Sequence, residues 1–198
     1  MSDESRVHKG FYSRGYLPHI DNAELKQFIT FRLADSLPVH LLAKWRIELA
    51  STRDEFRAIE MRRRVERYLD EGRGECILLD PRHANSVAQV LRYGDGTAYN
   101  LFGFTVMPNH VHVLIEQKEG FPLHRVVRSW KSKSSSLINQ ARGASEAVWQ
   151  PDYFDRYIRS AEHFSKAVGY IQMNPVKAGL VTDFVDWPHT WIKANLET

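Results

Sequence analysis

Apolar residues change their period along this chain, and the changes mark out its elements. The first ~25 residues are polar and turn-rich, with Gly10, Gly15 and Pro18. Phe28-Ile-Thr-Phe-Arg-Leu33 is dense in β-branched and aromatic residues and predicts a strand. Asp35-Ser-Leu-Pro38 predicts a turn and a helix start, and residues 39–71 have helical periodicity, with Leu41, Leu42, Trp45 and Leu49 on one face. A second helix begins near Asp54, runs through Tyr68 and Leu69, carries Arg62, Arg63, Arg64 and Arg67, and stops at Gly72 and Gly74. Asp80-Pro81 is an N-cap followed by proline at the first helical position, opening a helix to about Tyr93.

Gly94-Asp-Gly96 is a turn signal, after which Tyr99–Val106 and Val111–Ile115 read as two strands joined by the Met107-Pro-Asn109 corner. A helix starting near Phe121 buries Val126, Val127 and Trp130, and a polar stretch leads to Gly143. Trp149–Ser160 is aromatic and basic without a clear period. A last helix is expected from about Ala161 to Asn174, stopped by Pro175. Strands mixed with helices and a hairpin predict an α+β protein, an antiparallel sheet covered by helices.

Composition narrows this little. At 198 residues, with 43 % hydrophobic, 26 % charged and 12 % aromatic residues, the chain suits one folded domain, and wholesale disorder is excluded. The single cysteine, Cys76, excludes a disulfide framework and reads as a small core residue. No apolar run reaches the ~18 residues of a membrane helix, and Met1-Ser-Asp-Glu-Ser has no apolar signal core, so a cytoplasmic, non-membrane protein is expected. A net charge of +3 is compatible with nucleic acid as partner without requiring it.

The candidate chemistry begins at His110-Val-His112. On a strand both imidazoles point to one face and Val111 and Val113 to the other, so the pair can share a metal ion. Two polar residues on a half-exposed strand would give the same spacing. Tyr170 and Asn174 lie four apart on one helix face. A phenolic oxygen can attack phosphorus once activated, and the Asn174 carboxamide oxygen could complete a metal site with the histidines. Equally, Tyr170 could pack in the core and Asn174 end the helix, with Tyr153 and Tyr157 as competing tyrosines.

Arg125, Arg128, Lys131 and Lys133 form one basic cluster; Arg156 and Arg159 lie among Trp149, Tyr153, Phe154 and Tyr157. Cations interleaved with rings suit single-stranded nucleic acid, though a solvated helix face explains the first cluster as well. Arg62–Arg67 reads as a solvated face paired with Glu55, Glu60 and Glu66. Phosphate-loop, dinucleotide and zinc-protease signatures are all missing, so no nucleotide cofactor is expected.

Three segments together resemble the REP-associated tyrosine transposases, single-tyrosine HUH transposases of bacterial insertion sequences. They are Phe28–Leu33, Val106-Met-Pro-Asn-His-Val-His-Val-Leu-Ile115 and Tyr170-Ile-Gln-Met-Asn-Pro-Val-Lys-Ala-Gly-Leu180, with Trp149-Gln150 and Asp155-Arg-Tyr-Ile-Arg159 between the last two. The resemblance covers about residues 14–192. It implies a ferredoxin-like antiparallel sheet with helices packed on it, an HUH-type nuclease core in one domain over 1–198, and a charged helical elaboration at about 39–75. It implies cleavage and rejoining of single-stranded DNA beside palindromic hairpins through a 5′-phosphotyrosine. His110 and His112 would then be metal ligands, Tyr170 the nucleophile, and Asn174 would stand where related enzymes have a glutamine ligand. Arg125, Arg128, Lys131, Lys133, Arg156 and Arg159 would hold DNA. The histidines alone would suit zinc, so Mg²⁺ or Mn²⁺ follows from the resemblance. A hairpin-binding protein that has lost strand transfer, and a phosphodiesterase using water, are the alternatives. Monomer and homodimer both remain open.

Overall fold

The structure, a computed structural model, describes residues 7–14 and 17–194. A five-stranded antiparallel sheet forms the centre, in the order β6 (Phe154–Tyr157), β3 (Lys26–Arg32), β5 (His110–Gln117), β4 (Tyr99–Val106), β7 (Thr190–Ile192). The strands expected over 28–33, 99–106 and 111–115 are present, two of them extended by a few residues. The polar, turn-rich N-terminal stretch carries two strands that no sequence pattern marked: β1 (Gly10–Arg14) and β2 (Leu17–Asp21) pair antiparallel in a separate two-stranded sheet. β7 and β6 are edge strands too short to show a period.

Strand alternation divides the sheet into two unlike faces. Ile29, Phe31, Val111, Val113 and Ile115 form one, and α3 (Pro81–Tyr93) and α4 (Leu123–Arg142) cover it with Val87, Leu91, Val126, Val127 and Trp130. Within this core the Trp130 indole donates to the Tyr99 hydroxyl at 2.8 Å, which donates to the Leu91 carbonyl at 2.6 Å, so the buried polar atoms are paired. The other face carries Phe28, Thr30, His110, His112 and Leu114; α5 (Ala161–Lys177) covers its apolar part with Phe164, Ala167 and Ile171.

Helix ends follow local chemistry. Asp80 accepts from the Arg82 N–H at the start of α3, with Pro81 at the first position. Gly143, at φ +64°, closes α4, which therefore includes the polar stretch beyond Lys133. Gly103 sits at a shift of register between β4 and β5, and a Cβ there would meet the Ile192 side chain at 2.5 Å, so glycine lets β7 approach.

Pro175 does not stop α5. The helix continues to Lys177, with the Ala178 N–H donating to Asn174 and the Leu180 N–H to Pro175. A proline near a helix end forgoes a single ladder bond, and here both Asn174 and Pro175 are buried in the packed turn.

The charged segment folds as two helices, α1 (Val39–Glu48) and α2 (Asp54–Asp70). They share a small core of Leu37, Leu42, Leu49, Met61, Val65 and Leu69, against which Phe154 of β6 packs. Arg64 pairs with Glu60 and Glu48 on the outside.

Asp21 ties the hairpin to the sheet. Its buried carboxylate accepts from the Leu123 N–H (3.0 Å), the Gln117 amide (2.9 Å), the His8 ring (2.8 Å) and the Lys9 N–H (3.3 Å). Burial pushes its pKa up, but these donors outweigh burial and hold it below the ordinary carboxylate range. Because the folded pKa is the lower, this contribution is full above the unfolded value and is lost as pH falls through the folded one. Asp21→Ala is expected to lower stability by about 2–4 kcal/mol in urea unfolding near neutral pH, and by less in acid.

Candidate active site and nucleic-acid interface

The central strand and the corner before it build the site. His110 and His112 are both buried on one face of β5, their Nε2 atoms 3.0 Å apart. Behind them, the Asn109 amide nitrogen donates to the carbonyls of Leu69 (3.2 Å) and Arg73 (2.9 Å). Its oxygen must then accept from His110 Nδ1, 2.7 Å away. His110 therefore keeps its proton on Nδ1 and turns a lone pair outward at Nε2. His112 Nδ1 lies 2.8 Å from the Thr30 hydroxyl, which holds that ring in place. Burial pushes the His110 pKa down to about 3; burial, then His110, push His112 down as well. Both rings are neutral near neutral pH, the form that ligates metal.

Tyr170 comes from α5. Its ring meets His112 edge-on at 5.1 Å and Phe28 at 5.6 Å, and Lys177 Nζ lies 5.2 Å from its centroid. Burial, then the Glu66 and Asp70 carboxyls, make its phenol harder to ionise, while Arg156 acts the other way. Asn174, one turn on, is wholly buried and lowers the pKa of both Tyr170 and Asp70, yet neither of its amide atoms has a hydrogen bond.

Asp70 was not singled out by sequence, and Glu66 only as a partner on the solvated face of Arg62–Arg67. Asp70 Oδ1 stands 3.9 Å from His110 Nε2, out of contact with water and without a hydrogen bond. Burial pushes its carboxyl up to about 6, against Asn174 and Lys177. Glu66 is not in a surface pair: burial raises its pKa and its charge is felt at Tyr170. Only the i, i+4 spacing of the two in a helix ended by Gly72 hinted at a shared face. Among the described residues, no three His, Cys, Asp or Glu side chains yet stand at ligating distance together.

The six basic residues separate. Arg156, opposite Phe28 on β6, lies on the histidine face with its guanidinium 5.8 Å from the Phe28 ring. It shares the field of Arg62, Arg159 and Tyr170. Arg159 is exposed and stacks on Tyr157 at 4.7 Å. Arg125, Arg128 and Lys133 lie on the outer side of α4, beyond the opposite face of the sheet, and line a groove of about 950 Å³ with His8, Lys9 and Ser129. Lys131 instead donates to the carbonyls of Gln150, Pro151 and Asp152 at 2.8–3.1 Å.

With the fold and the arrangement of the histidine pair and Tyr170 described, the chain can be set beside known proteins. Residues 80–174 match the family described as "Transposase IS200 like". Over 92 residues the chain is 28 % identical to the REP-associated tyrosine transposase of Escherichia coli (strain K12), covering 46 % of this chain and 52 % of that one. Over 95 residues it is 23 % identical to the putative REP-associated tyrosine transposase of Haemophilus influenzae, 43 % and 54 % of the two chains. The chain thus spans about half the length of the curated relatives it matches. The solved structure of a REP-associated tyrosine transposase bound to a REP hairpin shares the fold, with a TM-score of 0.52 at 21 % identity over 90 % of this chain and 80 % of that one. Among the described residues, no helix is long and apolar enough to cross a membrane.

The two kinds of cation on α4 separate by stability. Lys131→Ala is expected to lower it by about 1–2 kcal/mol, because three carbonyls lose their donor, whereas Arg128→Ala stays within about 0.5 kcal/mol; urea unfolding reads both.

Proposed function

We propose that this protein cuts and rejoins single-stranded DNA beside palindromic hairpins, with Tyr170 as nucleophile and a divalent ion held by His110 and His112. The observation that carries the reading is the pair of neutral Nε2 atoms 3.0 Å apart, with the Tyr170 ring against His112. The family match over residues 80–174 and the hairpin bound by the structural relative support it.

The residues fit such an ion. Six-coordinate ligands at ~2.1 Å lie ~3 Å apart along an octahedral edge, which is the histidine spacing. Asn174 Oδ1, buried without a partner, is a ready third donor, and an oxygen beside two imidazoles suits Mg²⁺ or Mn²⁺ better than imidazoles alone. When bound, the ion supplies Lewis acidity at the scissile phosphate.

The protein's own groups do the rest. Asn109 and Thr30 fix the two rings, so the ligands need little rearrangement. Tyr170 Oη bonds to phosphorus as the bond from phosphorus to the 3′ oxygen breaks. The products are a 5′-phosphotyrosine and a free 3′-OH, which takes up the proton the phenol gives up. Attack by a second 3′-OH reverses the exchange and restores the phenol, so no nucleotide is hydrolysed. Arg156 favours the phenolate and offers its charge to the phosphate. Arg62 and Arg159 extend that positive rim. On the far side, Arg125, Arg128 and Lys133 offer phosphate contacts for a hairpin stem. Lys131 is engaged by its own turn and acts through that turn.

Incubation with a labelled hairpin carrying single-stranded flanks is expected to give an SDS-resistant protein–DNA band in Mn²⁺. The band is lost in EDTA, in His112→Ala and in Tyr170→Phe, while Tyr170→Phe keeps hairpin affinity within about threefold. Cleavage without a band would make water the nucleophile; binding with neither would make the protein a hairpin binder only.

Replacing both Arg125 and Arg128 by alanine is expected to weaken hairpin binding at moderate salt and to reduce the slope of log affinity against log salt by about 1–2. An unchanged slope, read by fluorescence anisotropy, would remove the α4 groove from the interface.

A further inference from the structure

We infer that Asp70, the last residue of α2, is a further ligand of the ion held by His110 and His112, so that the charged helical segment forms part of the metal site. This rests on the metal-dependent reading above. Asp70 lies outside the 80–174 stretch that matches the transposase family, so the placement is this chain's own structural finding.

Position comes first. Asp70 Oδ1 is 3.9 Å from His110 Nε2. An octahedral edge is ~3 Å, so the carboxylate has to close by only about 1 Å, within the reach of rotation about its side-chain bonds. Leu69, next to it, is buried in the α1–α2 core and fixes the end of the helix.

Anchoring comes second. The Asn109 amide nitrogen holds the carbonyls of Leu69 and Arg73, which bracket Asp70, and its oxygen holds the His110 ring. One side chain thus sets the carboxylate and the histidine relative to each other.

Chemistry comes third. Asp70 Oδ1 and both amide atoms of its neighbour Asn174 are shielded from water with no partner at hydrogen-bond distance, although Asn174 is near enough to Asp70 to lower its pKa. Buried polar atoms are ordinarily paired, and these three atoms beside the facing Nε2 atoms of two neutral imidazoles make a donor set that suits a cation. Two neutral imidazoles and an amide carry no charge. Asp70 supplies the negative charge that balances a dication, and its hard oxygen directs the site from zinc toward Mg²⁺ or Mn²⁺.

Mn²⁺ titration of the full chain, followed by the electron paramagnetic resonance of free Mn²⁺, tests this. Asp70→Asn is expected to weaken Mn²⁺ binding at least about tenfold, and Asp70→Glu, which keeps a carboxylate, to recover part of the loss. Glu66→Gln removes a nearby carboxylate one turn back and is expected to change the affinity less than about threefold. The Mn²⁺-induced rise in Tm should shrink in Asp70→Asn, while its Tm in EDTA stays at or above that of the unaltered chain. Unchanged Mn²⁺ affinity in Asp70→Asn, or equal losses in Asp70→Asn and Glu66→Gln, would overturn the inference. If the unaltered chain meanwhile forms the covalent DNA band in Mn²⁺, the proposed function stands without it. Failure of the unaltered chain to bind Mn²⁺ would overturn both.

Discussion

The amide of Asn109 joins the parts of this protein that have to agree. Its nitrogen closes the two carbonyls at the end of α2, and its oxygen fixes the proton of His110 on Nδ1. Because an amide has distinct donor and acceptor ends, the first pair of bonds dictates the second. The tautomer of a histidine on the central strand is thereby set by the backbone of a helix that precedes it by some forty residues. Thr30 supports the second ring from the neighbouring strand. The site is pre-organised by hydrogen bonds between elements far apart in sequence, which is what a rigid sheet can provide and a loop cannot.

The sheet also separates the histidine pair from the basic groove of α4. Alternation along β5 sends the histidines to one side and Val111 and Val113 to the other. The apolar side is filled by α3 and α4, so the outward side of α4 is free to carry cations. The histidine side is only partly filled by α5, which brings Tyr170 and Asn174, and is closed at its edge by α2. In the proposed function, a stem held along α4 and a strand threaded past Tyr170 would lie on opposite sides of one sheet. The strand leaving the stem must then round an edge of the sheet. β6 is such an edge, and it carries Arg156, with Arg159 just beyond.

Much of this was legible in the chain itself. The strand limits of β4, the cap of α3 and the shared face of His110 and His112 follow from turn chemistry and a period of two. Other features were not. The β1–β2 hairpin hides in a polar segment tied to the sheet by Asp21, a buried carboxylate that no local pattern marks. Pro175 looked like a stop, but a buried final turn absorbs the loss of one ladder bond. The basic residues looked like one population; the fold commits Lys131 to three carbonyls and leaves Arg125 and Arg128 exposed.

The sequence by itself determined the elements, the two-faced central strand and the candidate chemistry of two histidines, a tyrosine and an asparagine, because these depend on spacing over a few residues. Only the tertiary structure decided what surrounds them. Asp70 and Glu66 lie on a helix whose own pattern describes a solvated, charged surface, and nothing local relates them to residues 110 or 170. Their approach to His110 and Tyr170 is a property of how α2 seats against the strand, through Leu69 and Asn109. Contacts between distant segments are set by packing and paired buried atoms, and no periodicity encodes them.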